Sequence, residues 1–485
     1  MDDLPVDYSR KWYVLAAVGM GIFLSTIDGS IVNIALPFLE TAFDTEFAIV
    51  QWVVLAYLLV VSTLMLGVGR LADMIGKKPL YTAGFIIFTI GSVLAGLSPT
   101  IYWLIGFRVL QALGAVMLLA LGLGIVTEAF PPSERGKALG ITGALVSVGI
   151  VLGPTLGGIL INLYSWRLIF YVNLPVGIAG TIMAVRYLPD IRPPGGQRFD
   201  FGGAVTLLIS LLSFSLALTA GQDLGFTDPL ILILFAAFVL FLILFIAIEL
   251  RVEQPMVDLR LLNNARINVS LVTGYITFVA IGGTVILMPF YLGNVLGYSA
   301  LQVGLLMAVV PIVLGIAAPI SGSLSDRYGT RPITVIGLFV LAIGYLALGT
   351  LQADTSALGF VLRFLPIGIG MGIFQSPNNS AIMGTAPRRR LGIVSGMLAA
   401  TRSLGQTTGV ALIGAVWAAR VFAYVGKTIS GGATEASGEA QVTGLQDTFR
   451  IVTVFVILAL MLAVWSLMQE RRDRSLSPAE LTATR

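Results

Sequence analysis

Fourteen apolar stretches follow one another along this chain, and each is long enough to cross a lipid bilayer as a helix. A spanning helix needs about 20 mostly apolar residues. Only 11% of the 485 residues are charged, whereas soluble domains carry about 25%, so lipid is the natural surrounding of the chain. The predicted spans, numbered 1 to 14 in chain order, cover residues 12–37, 48–68, 80–98, 101–127, 137–162, 167–187, 202–221, 229–249, 268–292, 300–321, 333–351, 356–376, 392–419 and 449–468.

The basic residues divide unequally between the two sides of this predicted bundle. With fourteen spans, both tails and every second loop share one side, and that side holds 22 of the 29 Lys and Arg residues. Cytoplasmic loops carry such an excess, so both termini are predicted to be cytoplasmic. The basic residues form short clusters between apolar stretches, so the formal net charge of +4 indicates topology and no nucleic-acid partner.

The chain contains neither cysteine nor histidine. Disulfides and metal sites built from thiolate or imidazole ligands are therefore excluded, and the sequence predicts no metal and no cofactor. Membrane-embedded enzymes usually present metal ligands or a nucleophile beside a base, so an enzymatic function is disfavoured.

The two halves of the chain repeat the same features at nearly one offset. Residues 69–79 are similar to residues 322–332, 253 positions later, and Arg108 of span 4 recurs as Arg363 of span 12. We therefore predict two six-span repeats, whose substrate site lies near the membrane midplane. The predicted units are an N-terminal bundle 1–188, a two-span insert with its linkers 189–266, a C-terminal bundle 267–470 and a cytoplasmic tail 471–485.

Six segments resemble motifs of the major facilitator superfamily, and two of them, residues 51–57 and 166–175, are similar to its fourteen-span drug exporters. Residues 69–80 resemble its signature loop between spans 2 and 3, and residues 108–114 resemble its span 4 motif, with Ala112 in place of the usual Gly. Residues 149–158 resemble the span 5 motif that the family associates with antiport. Residues 28–37 resemble the span 1 motif of the fourteen-span drug:proton antiporters.

The resemblance implies an all-α integral membrane protein with the major facilitator fold, two six-helix bundles plus two extra helices. It implies a proton-coupled antiporter that exports lipophilic or cationic drug-like molecules by alternating access. The expected partners are a small-molecule substrate, protons and the lipid bilayer, with the proton gradient as energy source and a monomer as the functional unit. The expected location is the plasma membrane, the inner membrane of a bacterium.

Asp28 is the only acidic residue deep inside a predicted span. An ionised carboxylate there is costly, so it should face a cavity or a basic partner. Gly21, Ser25, Val32 and Ala35 share one helix face with Asp28, and such a face of small residues is compatible with a cavity wall. A carboxyl placed between burial and a cation can take up and release a proton during transport. The alternative is a permanently paired carboxylate that only holds helices together.

Arg108 and Gln111 lie one turn apart on span 4. The resemblance implies that Arg108 takes part in proton coupling by stabilising a charged carboxyl, with Asp28 as the candidate, and the alternative is a structural tether. Asn33 and Gln111 are the polar residues predicted to line the substrate cavity. Arg363 is predicted to line it because of its repeat-equivalent position, with a structural role equally open.

The resemblance also assigns two groups of residues to the conformational change. Loop 69–79 is implied to latch the cytoplasmic ends of the two halves in the outward-open state. The antiport motif of span 5 combines glycines at a spacing of four residues, which permits close helix packing, with a proline that kinks the helix. The latch residues are Gly69, Asp73, Gly76, Lys77, Lys78 and Asp326 of the second copy, and the motif residues are Gly149, Gly153, Pro154, Gly157 and Gly158.

One alternative function stays within transport. Three arginines but only one acid lie deep inside the predicted spans, which leaves room for a negatively charged head group. The chain would then export lipids, fatty acids or other anionic or amphiphilic metabolites on the same fold. A receptor that transports nothing is disfavoured, because the duplicated halves serve alternating access.

Overall fold

The computed structural model describes residues 8–131, 134–189, 200–252, 255, 265–385, 391–427, 429 and 431–475. Within them, fourteen helices are long and apolar enough to cross a membrane, which confirms the predicted number of spans. The N-terminal spans 1 to 6 are built from Lys11–Phe43, Phe47–Val50 with Trp52–Ile75, Lys77–Gly96, Ile101–Ala129, Arg135–Leu163, and Leu168–Tyr171 with Asn173–Tyr187. The insert is formed by span 7, Phe201–Leu224, and span 8, Pro229–Glu249.

The C-terminal spans 9 to 14 repeat the arrangement with two irregular segments. Span 9 ends in a short π-helix, and span 10 is interrupted at Ala308. Span 14 begins eleven residues earlier than the sequence predicts, so the connection after span 13 is shorter than expected. These spans are Ala265–Phe290 with Tyr291–Val295, Ala300–Met307 with Val309–Tyr328, Thr330–Leu348, Ala357–Thr385, Leu391–Val425 and Gly438–Ser475.

The helix ends follow from local sequence chemistry. Thr100 at the start of span 4 and Ser299 at the start of span 10 accept hydrogen bonds from the first free backbone amides, as expected of N-cap residues. Asp228 does the same for span 8, where Pro229 occupies the first turn. Proline suits that position because its missing N–H would have no partner inside the helix.

The same turn ends span 2 and span 10. Gly76 has φ 98° and ψ 150°, and Gly329 has φ 90° and ψ 153°. This region of backbone space is open essentially to glycine alone. The chain reverses there within one residue, so span 3 starts at Lys77 and span 11 starts at Thr330.

Close helix approaches join span 1 to span 5 and span 9 to span 13. A Cβ atom on Gly153 would overlap Ser30 of span 1, and one on Gly409 would overlap the carbonyl oxygen of Val279 in span 9. In lipid there is no hydrophobic drive between helices, so small residues at such crossings supply the attraction by close packing. Corresponding spans of the two halves therefore pack in corresponding ways.

The two insert spans lie outside the two bundles. Span 7 packs against spans 2 and 13, and the indole Nε1 of Trp52 donates to Thr219 Oγ1 at 3.2 Å. Span 8 packs mainly against span 7, with only 11% of its most apolar window buried. The insert therefore covers the line along which spans 2 and 13 meet.

The contacts that join the two halves lie at mid-depth or on the side opposite to the termini. Ser62 Oγ of span 2 and Ser403 Oγ of span 13 are 2.8 Å apart. Near the termini, the ion pairs Lys11–Glu134, Lys77–Glu128 and Arg331–Glu470 each stay within one half. The described contacts therefore close the bundle on the side opposite to the termini.

Candidate transport site

Asp28 and Arg108 form an ion pair in the interior of the N-terminal bundle. Arg108 Nη1 donates to Asp28 Oδ2 at 2.6 Å, and the side chains are 0% and 1% exposed. Span 1 supplies the acid, and span 4 supplies the base seven residues after its first residue. The predicted basic partner of Asp28 is therefore present at hydrogen-bonding distance.

Two amides complete the surroundings of the carboxylate. Gln111 Nε2 donates to Asp28 Oδ1 at 2.8 Å, and Asn173 Nδ2 of span 6 donates to the same oxygen at 3.0 Å. Both amides also donate to Ser92 Oγ of span 3, at 2.7 and 3.3 Å. Three donors therefore hold the carboxylate, which is the arrangement that a buried charged group requires.

Arg108 is held by further groups of spans 2 and 4. Its Nε donates to the carbonyl oxygen of Val53 at 3.1 Å, and its Nη1 also donates to Gln111 Oε1 at 2.6 Å. The guanidinium carbon lies 4.3 Å from the ring centre of Tyr57, a cation–π contact. Five spans, 1, 2, 3, 4 and 6, thus meet in this polar centre.

The small face of span 1 is buried inside the bundle, contrary to the expected cavity wall. Ser25, Val32 and Ala35 are at most 3% exposed, and a Cβ atom on Gly21 would overlap the hydroxyl of Tyr81 in span 3. Gln111 is 0% exposed, and its amide nitrogen donates a hydrogen bond to Asp28. In this conformation Gln111 therefore serves the ion pair and lines no cavity, because spans 1 and 3 both pack against span 4 around it.

Asn33 lies on a different face of span 1. Pro37, Asn33 and Gly29 follow one another at the spacing of one helix turn. At Pro37 this face touches span 9, since a Cβ atom on Gly293 would be 3.8 Å from Pro37 Cβ. At Gly29 no atom stands within 4 Å of a Cβ position. Span 1 thus diverges from the other half in the direction of the termini, and Asn33 is half-buried where the separation begins.

The other two embedded arginines differ in their surroundings. Arg363 lies near the loop side opposite to the termini, where it donates to Thr350 Oγ1 at 3.0 Å and to the carbonyl oxygen of Gly359 at 2.9 Å. It joins the ends of spans 11 and 12 and is not part of the Asp28 site. Arg402 of span 13 lies over the ring of Phe278 in span 9, with its guanidinium carbon 5.5 Å from the ring centre.

The predicted antiport motif of span 5 connects the Asp28 helix to the opposite half. Gly149, Gly153 and Gly157 face Thr26, Ser30 and Ile31 of span 1. On the other side of span 5, a Cβ atom on Gly158 would be 2.5 Å from the carbonyl oxygen of Ala300 in span 10. Span 5 is therefore packed between span 1 of its own half and span 10 of the other, with Pro154 inside the helix.

The predicted latch residues are described only in part. Lys77 forms an ion pair with Glu128 of span 4, and Lys78 is half-buried. Gly76 forms the turn, whereas a Cβ atom on Gly69 would meet no atom within 4 Å. The side chains of Asp73 and Asp326 lie outside the described residues. In this conformation the described latch contact joins spans 3 and 4 of one half.

Comparison with known proteins identifies the family of this chain. Residues 18–410 match the family model of the Major Facilitator Superfamily. The chain belongs to the Major Facilitator Superfamily. As a member it is a multi-pass membrane transporter of small molecules and not an enzyme.

Relatives within this superfamily include transporters of different cargo. The riboflavin transporter RibZ of Clostridioides difficile is 38% identical, over 84% of this chain and 89% of the relative. The multidrug resistance protein Stp of Mycobacterium tuberculosis is 33% identical, over 84% of this chain and 75% of the relative. A bacterial homologue of the human lysosomal transporter Spinster, solved in an inward-facing and unoccupied conformation, has the same fold, with TM-score 0.67 and 19% identity over 98% and 100% of the two chains.

Several members of the Asp28 centre escape prediction from the sequence. Asn173, Ser92 and Tyr57 stand on spans 6, 3 and 2, and each is a polar residue in an apolar stretch. Polar residues in apolar stretches can be seen in the sequence, but the sequence does not show which of them meet in one polar centre. The predicted span 1 ends at residue 37 and leaves Glu40 in a loop, whereas the helix of span 1 continues to Phe43.

Glu40 is the second acid of span 1. It accepts a hydrogen bond from Thr434, which precedes span 14. It accepts a second one, at 3.5 Å, from Asn294 Nδ2 in the last turn of span 9. Both donors belong to the C-terminal half. Glu40 therefore contributes to closing the bundle opposite to the termini.

Proposed function

We propose that this transporter is a proton-coupled antiporter that exports lipophilic small molecules by alternating access between its two halves. The buried pair of Asp28 and Arg108 carries the proposal. A buried ion pair is weak support for stability, because desolvation offsets its attraction. Ionisable groups inside a membrane bundle instead commonly mark ion or proton pathways.

Protonation of Asp28 would change the forces on Arg108 and on span 1. The neutral carboxyl would no longer attract the guanidinium, which would then rely on Gln111, Val53 and Tyr57. Asp28 also lies in the turn of span 1 that faces the glycines of span 5. A shift of that turn would therefore reach the contact between span 5 and span 10, where the two halves meet.

In this conformation cargo and proton do not compete directly at Asp28. The carboxylate is 0% exposed in this conformation, so a cargo molecule in the cleft does not touch it. Coupling is then indirect: proton and cargo act on the same equilibrium between two arrangements of the halves, as reciprocal linkage requires.

We further propose that both termini are cytoplasmic and that the protein acts as a monomer in the plasma membrane. The unequal distribution of Lys and Arg supports this orientation. The described contacts close the side opposite to the termini, so the described conformation is the one that receives cargo from the cytoplasm.

The test is proton flux in liposomes that contain the purified protein under an imposed pH gradient. Addition of at least one of three aromatic probes, the cation ethidium, uncharged riboflavin or the anion fluorescein, should drive proton flux in the parent. Asp28→Asn should abolish the coupled flux. The matched control is Asp447→Asn, which removes an acid on the surface beside Arg450 and should leave the flux intact. Full coupled flux in Asp28→Asn would contradict the assignment of the proton to this site.

A second candidate cargo is favoured by one relative. RibZ, a riboflavin transporter, is 38% identical to this chain. Riboflavin is a planar, uncharged molecule rich in carbonyl and hydroxyl groups, unlike a cationic drug. The flux assay separates the two, because proton flux driven by riboflavin but not by ethidium would favour the flavin-type cargo.

A further inference from the structure

The three arginines deep inside the spans, Arg108, Arg363 and Arg402, use their hydrogen-bond donors to different extents. Arg108 is paired with Asp28, and Arg363 donates to a hydroxyl and a backbone carbonyl. Within the described residues, the guanidinium of Arg402 donates to no acceptor and forms no ion pair, and its only described contact is the ring of Phe278. A guanidinium carries five donors, so those of Arg402 are left for water or for a ligand.

Arg402 lies where a cargo molecule would be held. It is eleven residues after Leu391, the start of span 13, or about 16 Å along the helix, near the middle of a hydrocarbon core of about 30 Å. The next residue, Ser403, reaches Ser62 of the other half. Arg402 itself is half-buried, so its side chain is accessible in part at the level where the two halves meet.

A second polar group stands beside this cation. Gln406 is one helix turn after Arg402 and on the same face. It is half-buried, and its amide makes no hydrogen bond to any other residue that the structure describes. The neighbouring Phe278 is 7% exposed and fixes one side of the guanidinium. A planar cation on an aromatic ring can stack a second planar group on its free face.

We infer that Arg402, with Gln406 and Phe278, forms a cargo subsite for planar aromatic molecules that carry a negatively charged group. The inference rests on the proposed export function and specifies its cargo. The only acid deep inside a span, Asp28, is already neutralised by Arg108. The charge that remains for a ligand at mid-depth is therefore positive, and it attracts anions and repels cations.

The test compares two dyes with the same xanthene ring system and opposite charge. Fluorescein is anionic at neutral pH, and rhodamine 123 is cationic. Their binding to the purified full-length protein is measured by fluorescence anisotropy. The parent should bind fluorescein more tightly than rhodamine 123. Arg402→Gln should weaken fluorescein binding at least about ten-fold, as loss of a charged hydrogen bond predicts, and should leave rhodamine 123 binding equal or tighter.

Two further variants keep the test decisive. Arg402→Lys retains the charge and should keep part of the preference for fluorescein. Arg450→Gln removes an exposed arginine that pairs with Asp447, and it should change neither affinity. A parent that binds rhodamine 123 as well as or better than fluorescein, or that binds neither dye, overturns the inference. Equal weakening of both dyes by Arg402→Gln also overturns it.

Failure of this subsite and failure of the proposed function give different results. Binding is measured without a proton gradient. Charge-selective binding that depends on Arg402, together with no coupled proton flux, contradicts antiport and leaves the subsite in place. Coupled flux that requires Asp28, together with binding indifferent to charge, leaves antiport in place and rejects the subsite.

Discussion

Gly304 of span 10 lies so close to Pro154 of span 5 that a Cβ atom on Gly304 would overlap the carbonyl oxygen of Pro154. This is a backbone contact between the two halves, on the side opposite to the termini. Gly304→Ala should therefore push the halves apart there and favour the conformation that opens on that side. Gly315→Ala in the same span is the matched control, because no atom lies within 4 Å of its Cβ position.

The opening can be followed with a disulfide, because the chain has no cysteine of its own. Ser62 Oγ and Ser403 Oγ are 2.8 Å apart, so Ser62→Cys with Ser403→Cys should cross-link readily under mild oxidation in the parent background. Adding Gly304→Ala should lower the yield several-fold, and adding Gly315→Ala should not. Equal cross-linking yields with Gly304→Ala and with Gly315→Ala would show that the contact between Gly304 and Pro154 does not control the distance between spans 2 and 13.

The Asp28–Arg108 pair predicts strong energetic coupling. Asp28→Asn leaves a buried guanidinium without its counter-ion, and Arg108→Gln leaves a buried carboxylate. Each should lower the free energy of unfolding by about 3–5 kcal/mol. The double variant should lose clearly less than the sum of the two, measured by thermal unfolding in detergent. Additive losses would mean that the two groups are not a pair in solution, and the double variant should lack coupled flux in either case.

The fold was accessible from the sequence because its main signals are long and redundant. Fourteen apolar stretches, alternate basic loops and a repeated turn all constrain the same architecture, and each predicted span corresponds to a helix, with errors of up to eleven residues at the ends. The boundaries failed where polar residues continue a helix beyond the hydrocarbon, as at Glu40 of span 1 and at Gly438, where span 14 begins. Hydrophobicity does not report such extensions.

The site was accessible only in part. Asp28 and Arg108 stand out because a charge inside a span is costly, and this signal led to a pair that the structure places in contact. Which face of span 1 meets a cavity was not readable, because small residues suit close helix packing as well as a cavity wall. The difference between Arg363 and Arg402 depends on loop acceptors such as Thr350, which periodicity does not reveal.

Tyr57 supports Arg108 through its ring and not through its hydroxyl. The hydroxyl is buried without a hydrogen-bond partner among the described residues, and the ring centre lies 4.3 Å from the guanidinium carbon. Tyr57→Phe should therefore change the free energy of unfolding by less than about 0.5 kcal/mol. Tyr57→Leu should lose about 2 kcal/mol, the value of a desolvated cation–π contact. Thermal unfolding measures both, and equal losses in the two variants would assign the effect to the hydroxyl.

The turns at Gly76 and Gly329 predict a backbone effect that is independent of any side-chain contact. Both glycines have φ near +90° with extended ψ, which costs other residues about 1–3 kcal/mol. Gly76→Ala and Gly329→Ala should each lower the unfolding temperature. Gly69→Ala, seven residues before Gly76, lies inside the helix of span 2 and meets no atom within 4 Å. Alanine in a helix interior is more stable than glycine by about 0.5–1 kcal/mol, so this control should leave the unfolding temperature equal or higher. A loss in Gly69→Ala as large as in Gly76→Ala would show that the end of span 2 tolerates no added methyl group, and the backbone explanation for Gly76 would be wrong.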